Sequence, residues 1–143
     1  MVKKGEGMRV YWDGQKMLDK FDEEILLPLS LCEGLPKIPL DIELNSISKT
    51  QDMKNVTMTV LDWVQLDQTF ESRLQRLKKL SLPPYVQLAH FQVCKGQDHL
   101  KQFVHETLNC GNNSVFLKEP RSFYVQGKTS ALQIIEVICI CQW

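Results

Sequence analysis

No sign of charge dominates this sequence: lysine plus arginine and aspartate plus glutamate number 17 each. A chain without a net field has no global attraction to nucleic acid or to an anionic membrane, so binding of that kind would need a local basic patch. Long apolar runs are also missing. No stretch reaches the roughly 20 apolar residues that a membrane span requires, and the first residues carry no apolar signal region. Internal repeats and low-complexity tracts are absent, and no CxxC pair stands with histidines at zinc spacing. The five cysteines, Cys32, Cys94, Cys110, Cys139 and Cys141, are odd in number. They read as reduced, buried thiols of an intracellular protein, cytoplasmic or nuclear, with no membrane partner. Cys139 and Cys141 lie two apart in a strand-like run and should share one face.

What is present suits a soluble domain. A length of 143 residues accommodates one core, so a single domain over 1–143 is expected, and the apolar content of 43% argues against disorder. Residues 8–12 read as a strand, Asp13-Gly14 as a two-residue hairpin turn, and 15–18 as the returning strand. Pro28, Pro36 and Pro39 forbid long regular elements over 19–39. A short strand over 40–44 puts Asp41 and Glu43 on one face and Leu40, Ile42 and Leu44 on the other. Strands are expected again over 56–64, 85–94, 115–117 and 132–141, the last nearly all apolar and so covered on both faces.

Helical spacing takes over at 69–80, where Phe70, Leu74 and Leu77 form the stripe, Thr69 or Asp67 can cap, and Arg73, Arg76 and Lys78 point mostly outward. Pro83-Pro84 closes that helix. A second helix is expected over 97–110, with Asp98 at its start, Leu100, Phe103, Val104 and Leu108 as its stripe, and Gly111 as its stop. About six strands interrupted by two helices make the fold class α+β, with antiparallel or mixed sheets. The basic run Arg73, Arg76, Lys78 and Lys79 can either meet a phosphate backbone or form the solvated side of an amphipathic helix. His90, His99 and His105 read as structural or surface residues.

Two lysines and a pair of glycines stand directly in front of the first strand, in the run KKGEGMRVYWDG over 3–14. Lys4 is either part of a frayed terminus or a nucleophile carried on a glycine-flanked loop. Residues 4–9, KGEGMR, resemble the KxDGxR motif of covalent nucleotidyltransferases, with Glu6 in the place of the usual aspartate. The continuation VYWDGQKML is similar to the hairpin after the lysine in small bacterial and viral ATP-dependent DNA ligases. LPKIPLDIEL resembles their third motif, VLDWVQLDQTFESRLQRLKKL the strand ending in aspartate and the helix after it, and GNNSVFLKEPRSFYVQGKTSALQI the segment from the EGxxxK motif into the last strand. The blocks keep their order from Lys4 to about Ile135.

That resemblance implies a ligase-type nucleotidyltransferase core, related to the ATP-grasp-like adenylation fold, without the C-terminal OB barrel that such ligases carry. It implies ATP and Mg²⁺ as cofactors, nicked DNA as partner and a monomeric chain. Lys4 would be the catalytic amine that takes AMP. Lys4, Glu6, Arg9, Lys20, Glu43 and Lys118 would bind the nucleotide, and Glu43 would also hold the metal. Residue by residue the alternatives stay open: Arg9 can be a solvated hairpin arginine, Glu43 an exposed strand carboxylate, and Asp41 reads as structural. Lys20 stands where the family has a ribose-binding arginine, keeping the charge without the two-pronged geometry.

The departures from the family pattern are electrostatic. Asn113-Ser114 stands where Glu-Gly is usual, Ile134 and Glu136 where two lysines would meet phosphates, and Leu61 where an aromatic would stack on adenine. Single preorganised contacts of that kind are worth about 3 to 4 kcal/mol each. The expectation is therefore a worn ligase-like domain with weakened or lost adenylation, the alternative being a dead module that binds nucleotide, DNA or protein.

Overall fold

A computed structural model of the protein describes residues 2–3, 7–46, 56–109, 114–124 and 132–136. Among the described residues there are two sheets and three helices. The larger sheet has the order β3-β2-β4-β5-β6, from β2 (Met8–Trp12), β3 (Met17–Leu18), β4 (Leu40–Ser46), β5 (Val56–Trp63) and β6 (Val86–Leu88). The smaller one has the order β1-β7-β8, from β1 (Val2–Lys3), β7 (Ser114–Lys118) and β8 (Leu132–Glu136). Every pairing is antiparallel except that of β5 with β6, so the architecture is α+β with a mixed main sheet.

The period-two alternation of the central strands sorts their side chains. Val10, Ile42 and Val60 lie opposite one another across β2, β4 and β5, as do Leu44 and Met58, and all are buried on one face. Trp12, Met17, Leu35, Leu77 and Val86 complete that core, and Leu31, Cys32, Leu80, Leu82 and Tyr85 pack against it. The proline-broken segment supplies the lid. It contains the short helix α1 (Leu29–Glu33), and its backbone is tied down by Trp12, whose indole N–H donates to the Pro36 carbonyl at 2.8 Å, and by Tyr85, whose hydroxyl donates to Leu31 at 2.7 Å. Helix α2 (Phe70–Leu77) packs on β5, and α3 (Gln97–Asn109) covers the smaller sheet by setting Phe103, Leu100 and Val104 against Val115 and Leu117.

Several sequence expectations need correction. The first hairpin pairs Trp12 with Met17, so its loop holds four residues, 13–16, and not two. Asp13 Oδ1 accepts the amides of Gln15 and Lys16 at 2.8 Å each, and Gly14 takes φ 101°, which stabilises the longer loop. The strand expected over 85–94 shrinks to β6, because its last ladder bond is Ala89 N–H to Val60 O and Val93 and Cys94 beyond it are exposed. Cys94 is therefore not a buried thiol. Arg73, expected on the outer face of α2, is buried at 2% exposure. Cys110, Gly111, Cys139 and Cys141 lie outside the described residues.

Candidate active site

The face of the main sheet opposite the apolar core is polar. Antiparallel register sets Arg9 of β2 directly across from Glu43 of β4, and Tyr11 across from Asp41, so all four project to one side. A bulge completes the set. The register between β4 and β5 runs Ile42 to Val60 and then Asp41 to Asp62, leaving Leu61 as an extra residue, and this brings Asp62 opposite Asp41. Leu61 itself is buried beside Ala89 and Phe91.

Arg9 grips Asp41 with both prongs: Nε donates to Oδ1 at 2.9 Å and Nη2 donates to Oδ2. Asp41 is buried while the Arg9 side chain is 46% exposed, and this pairing holds the guanidinium pKa above its ordinary value. Glu43 is buried at 7% exposure, and its Oε1 accepts the Gly7 amide at 3.3 Å. A Cβ on Gly7 would overlap Asn45 Oδ1 and the Leu44 carbonyl and would stand 2.7 Å from Glu43 Cγ, so only glycine lets the chain pass this close to the carboxylate. The Gly7 backbone is thus held against Glu43 and the β4 strand beside it.

At the other end of the face lies a buried three-membered charge cluster. Asp62, fully buried, accepts from Arg73 Nε at 2.8 Å, from Arg73 Nη2 at 3.1 Å and from Lys118 Nζ at 2.7 Å. Lys118 comes from β7, so this contact joins the two sheets. Arg73 Nη1 also donates to the carbonyls of Gln68 and Ser122. The Phe70 ring lies beneath both cations, 4.7 Å from Lys118 Nζ and 5.6 Å from the Arg73 guanidinium carbon. Tyr124 lies 5.8 Å from the same guanidinium carbon, and its phenol is pushed up to about 12, first by burial and then by the charge of Asp41.

Of the residues expected in the site, Arg9, Glu43 and Lys118 are on or at this polar face. Lys20 is on an exposed turn with its Nζ 5.1 Å from the ring centre of Phe21, and it makes no hydrogen bond or ion pair to the other three. Lys4, Glu6 and Asn113 lie outside the described residues. Ile134 and Glu136 of β8 pair in register with Phe116 and Ser114 of β7. Sequence reasoning missed Arg73 as a member of the polar face. The signal was available: position 73 falls three after Phe70 and four before Leu77, on the buried stripe, where a cation requires an acid partner.

This two-sheet α+β core has the fold of DNA ligase adenylation domains. A DNA ligase of Haemophilus influenzae is 22% identical over 148 aligned positions, which take in 92% of this chain and 55% of that ligase. Among solved structures, a DNA ligase of the Lig E group, described as binding DNA with a minimal scaffold, superposes with a TM-score of 0.83 at 23% identity, over 94% of this chain and 60% of that one. The Chlorella virus DNA ligase-adenylate superposes with a TM-score of 0.76 at 17% identity, over 94% and 59%. The chain therefore spans a little over half the length of the proteins it matches. No protein-family model matches it.

Proposed function

We propose that the chain is a single ligase-like domain that binds ATP on the polar face of its main sheet and forms lysyl-AMP at Lys4, with weakened chemistry. The reading is supported above all by the Gly7 amide on buried Glu43, which holds Gly7, three positions after Lys4 in the sequence, against a face carrying a carboxylate and an arginine in register. In the reaction the deprotonated ε-amine attacks the α-phosphorus, the bond to pyrophosphate breaks, and AMP is left on nitrogen. The adenylate would then pass to the 5′-phosphate of nicked DNA, where the 3′-hydroxyl displaces it.

An amine with an ordinary pKa near ~10.4 needs cations nearby to lose its proton, and Arg9 supplies one. Glu43, with a single amide on one oxygen, keeps acceptor capacity for ribose hydroxyls or for a divalent ion. No group of three acidic, histidine or cysteine side chains converges on a metal position among the described residues. That donor set suits magnesium held by one carboxylate together with substrate phosphates. Magnesium, when bound, neutralises phosphate oxygens and orients pyrophosphate for departure.

A second reading, a nucleotide- or DNA-binding module without chemistry, is favoured by the engagement of Arg9 by Asp41 and of Lys118 by Asp62, and by Ile134 and Glu136 in the places of family lysines. Incubation with magnesium and ATP labelled on the α-phosphate separates the two. The first reading expects one AMP adduct by mass spectrometry, absent in Lys4→Ala. ATP binding that weakens in Arg9→Ala, with no adduct, establishes the second.

A further inference from the structure

Charge counting on the buried cluster points beyond the residues usually assigned to such a site. Two cations, Arg73 and Lys118, share one carboxylate, Asp62. At formal charge the trio carries one positive charge in excess, at 2%, 14% and 0% side-chain exposure. Excess charge with so little water is costly unless an anion completes it.

The three partners are not equivalent. Arg73 is immobilised: two nitrogens lie on both oxygens of Asp62, and the third lies on the carbonyls of Gln68 and Ser122. Four of its five N–H donors lie on acceptors of the protein itself, so it is fixed in place and offers a ligand little. Lys118 has one ion-pair contact, to Asp62 Oδ2, an oxygen it shares with Arg73 Nη2. It retains two further N–H donors and is the more accessible cation.

We infer that Arg73 is a positioning residue: by neutralising Asp62 it leaves Lys118 aimed, but not discharged, as the cation that receives a phosphate group on the polar face. This inference rests on the nucleotide-binding reading above and adds to it the device that keeps Lys118 available. Without Arg73, the full charge of Asp62 falls on Lys118, and a buried neutral pair replaces a cation.

Calorimetric titration of the full chain with inorganic tripolyphosphate, alongside ATP, tests it. Arg73→Gln, shown to be folded by circular dichroism, is expected to bind tripolyphosphate about tenfold more weakly. The double variant Asp62→Asn with Arg73→Gln restores the excess charge and is expected to return to within about threefold of the parent, a rescue that a merely structural role would not produce. Parent-like affinity in Arg73→Gln, or a double variant as weak as the single one, overturns the inference. Should Arg73→Gln not fold, Arg73→Lys decides: it keeps the charge and is expected within about threefold of the parent, and affinity as low as that of Lys118→Met overturns the inference. A parent chain that binds ATP but not tripolyphosphate overturns this inference alone. One that binds neither overturns the nucleotide reading with it.

Discussion

At residue scale, the polar face depends on a missing side chain. Gly7 is needed because its backbone passes within van der Waals distance of Glu43, Leu44 and Asn45, and not because of an unusual φ. Overpacking against a backbone carbonyl cannot be relieved by a rotamer change. Gly7→Ala is therefore expected to lower stability by about 1–3 kcal/mol, read as a fall in urea midpoint at constant slope. An unchanged midpoint would mean that the chain does not approach β4 this closely. Arg9 and Asp41 illustrate the complementary case, in which a half-exposed cation is fixed by a buried acid.

At the scale of elements, α2 bridges β5 and the turn that follows β7. Thr69 is extended, with ψ 157°, and its Oγ1 accepts the Ser72 amide at 3.3 Å, which satisfies one amide of the first turn. The Phe70 and Glu71 amides donate to Ser122 and Pro120, so the remaining first-turn donors are satisfied by the turn that follows β7. Thr69→Ala is expected to cost about 1 kcal/mol in chemical denaturation, and Thr69→Ser to recover most of it. No loss in Thr69→Ala would assign the whole N-terminal satisfaction of α2 to the 120–122 turn. Because Arg73 projects from the same helix to Asp62, docking of α2 and placement of Lys118 are coupled through one carboxylate.

For the molecule as a whole, the polar groups under the face make stability depend on pH at the alkaline end. The folded state holds the Tyr124 proton more tightly than the unfolded chain does, since its phenol is raised to about 12 from an ordinary value of 10. That contribution is fully present below pH ~10 and is lost as pH rises through about 12, where the folded state ionises too. Ultraviolet titration is expected to show a tyrosine ionising near the top of the range, a component missing in Tyr124→Phe. The fall in urea midpoint between pH 10 and 12 is expected to be shallower in that variant, and an equal fall in both chains would detach Tyr124 from the effect.

The amino-acid order alone determined the alternation of β2, β4 and β5, the shared face of Asp41 and Glu43, a cap at Thr69 or Asp67 and the ligase-like sequence of blocks. Each of these follows from periodicity, from local hydrogen bonding or from motif order, which need no knowledge of distant partners. Only the tertiary structure decided the rest. Inserting Leu61 as a bulge turned Asp62 toward Asp41, and Asp62 in turn drew Arg73, 11 residues on, and Lys118, 56 residues on, into one buried cluster. Ion pairs at such separations depend on register and on the meeting of two sheets, which no local pattern records. The same holds for Arg73, whose burial is repaid only by a carboxylate on another element.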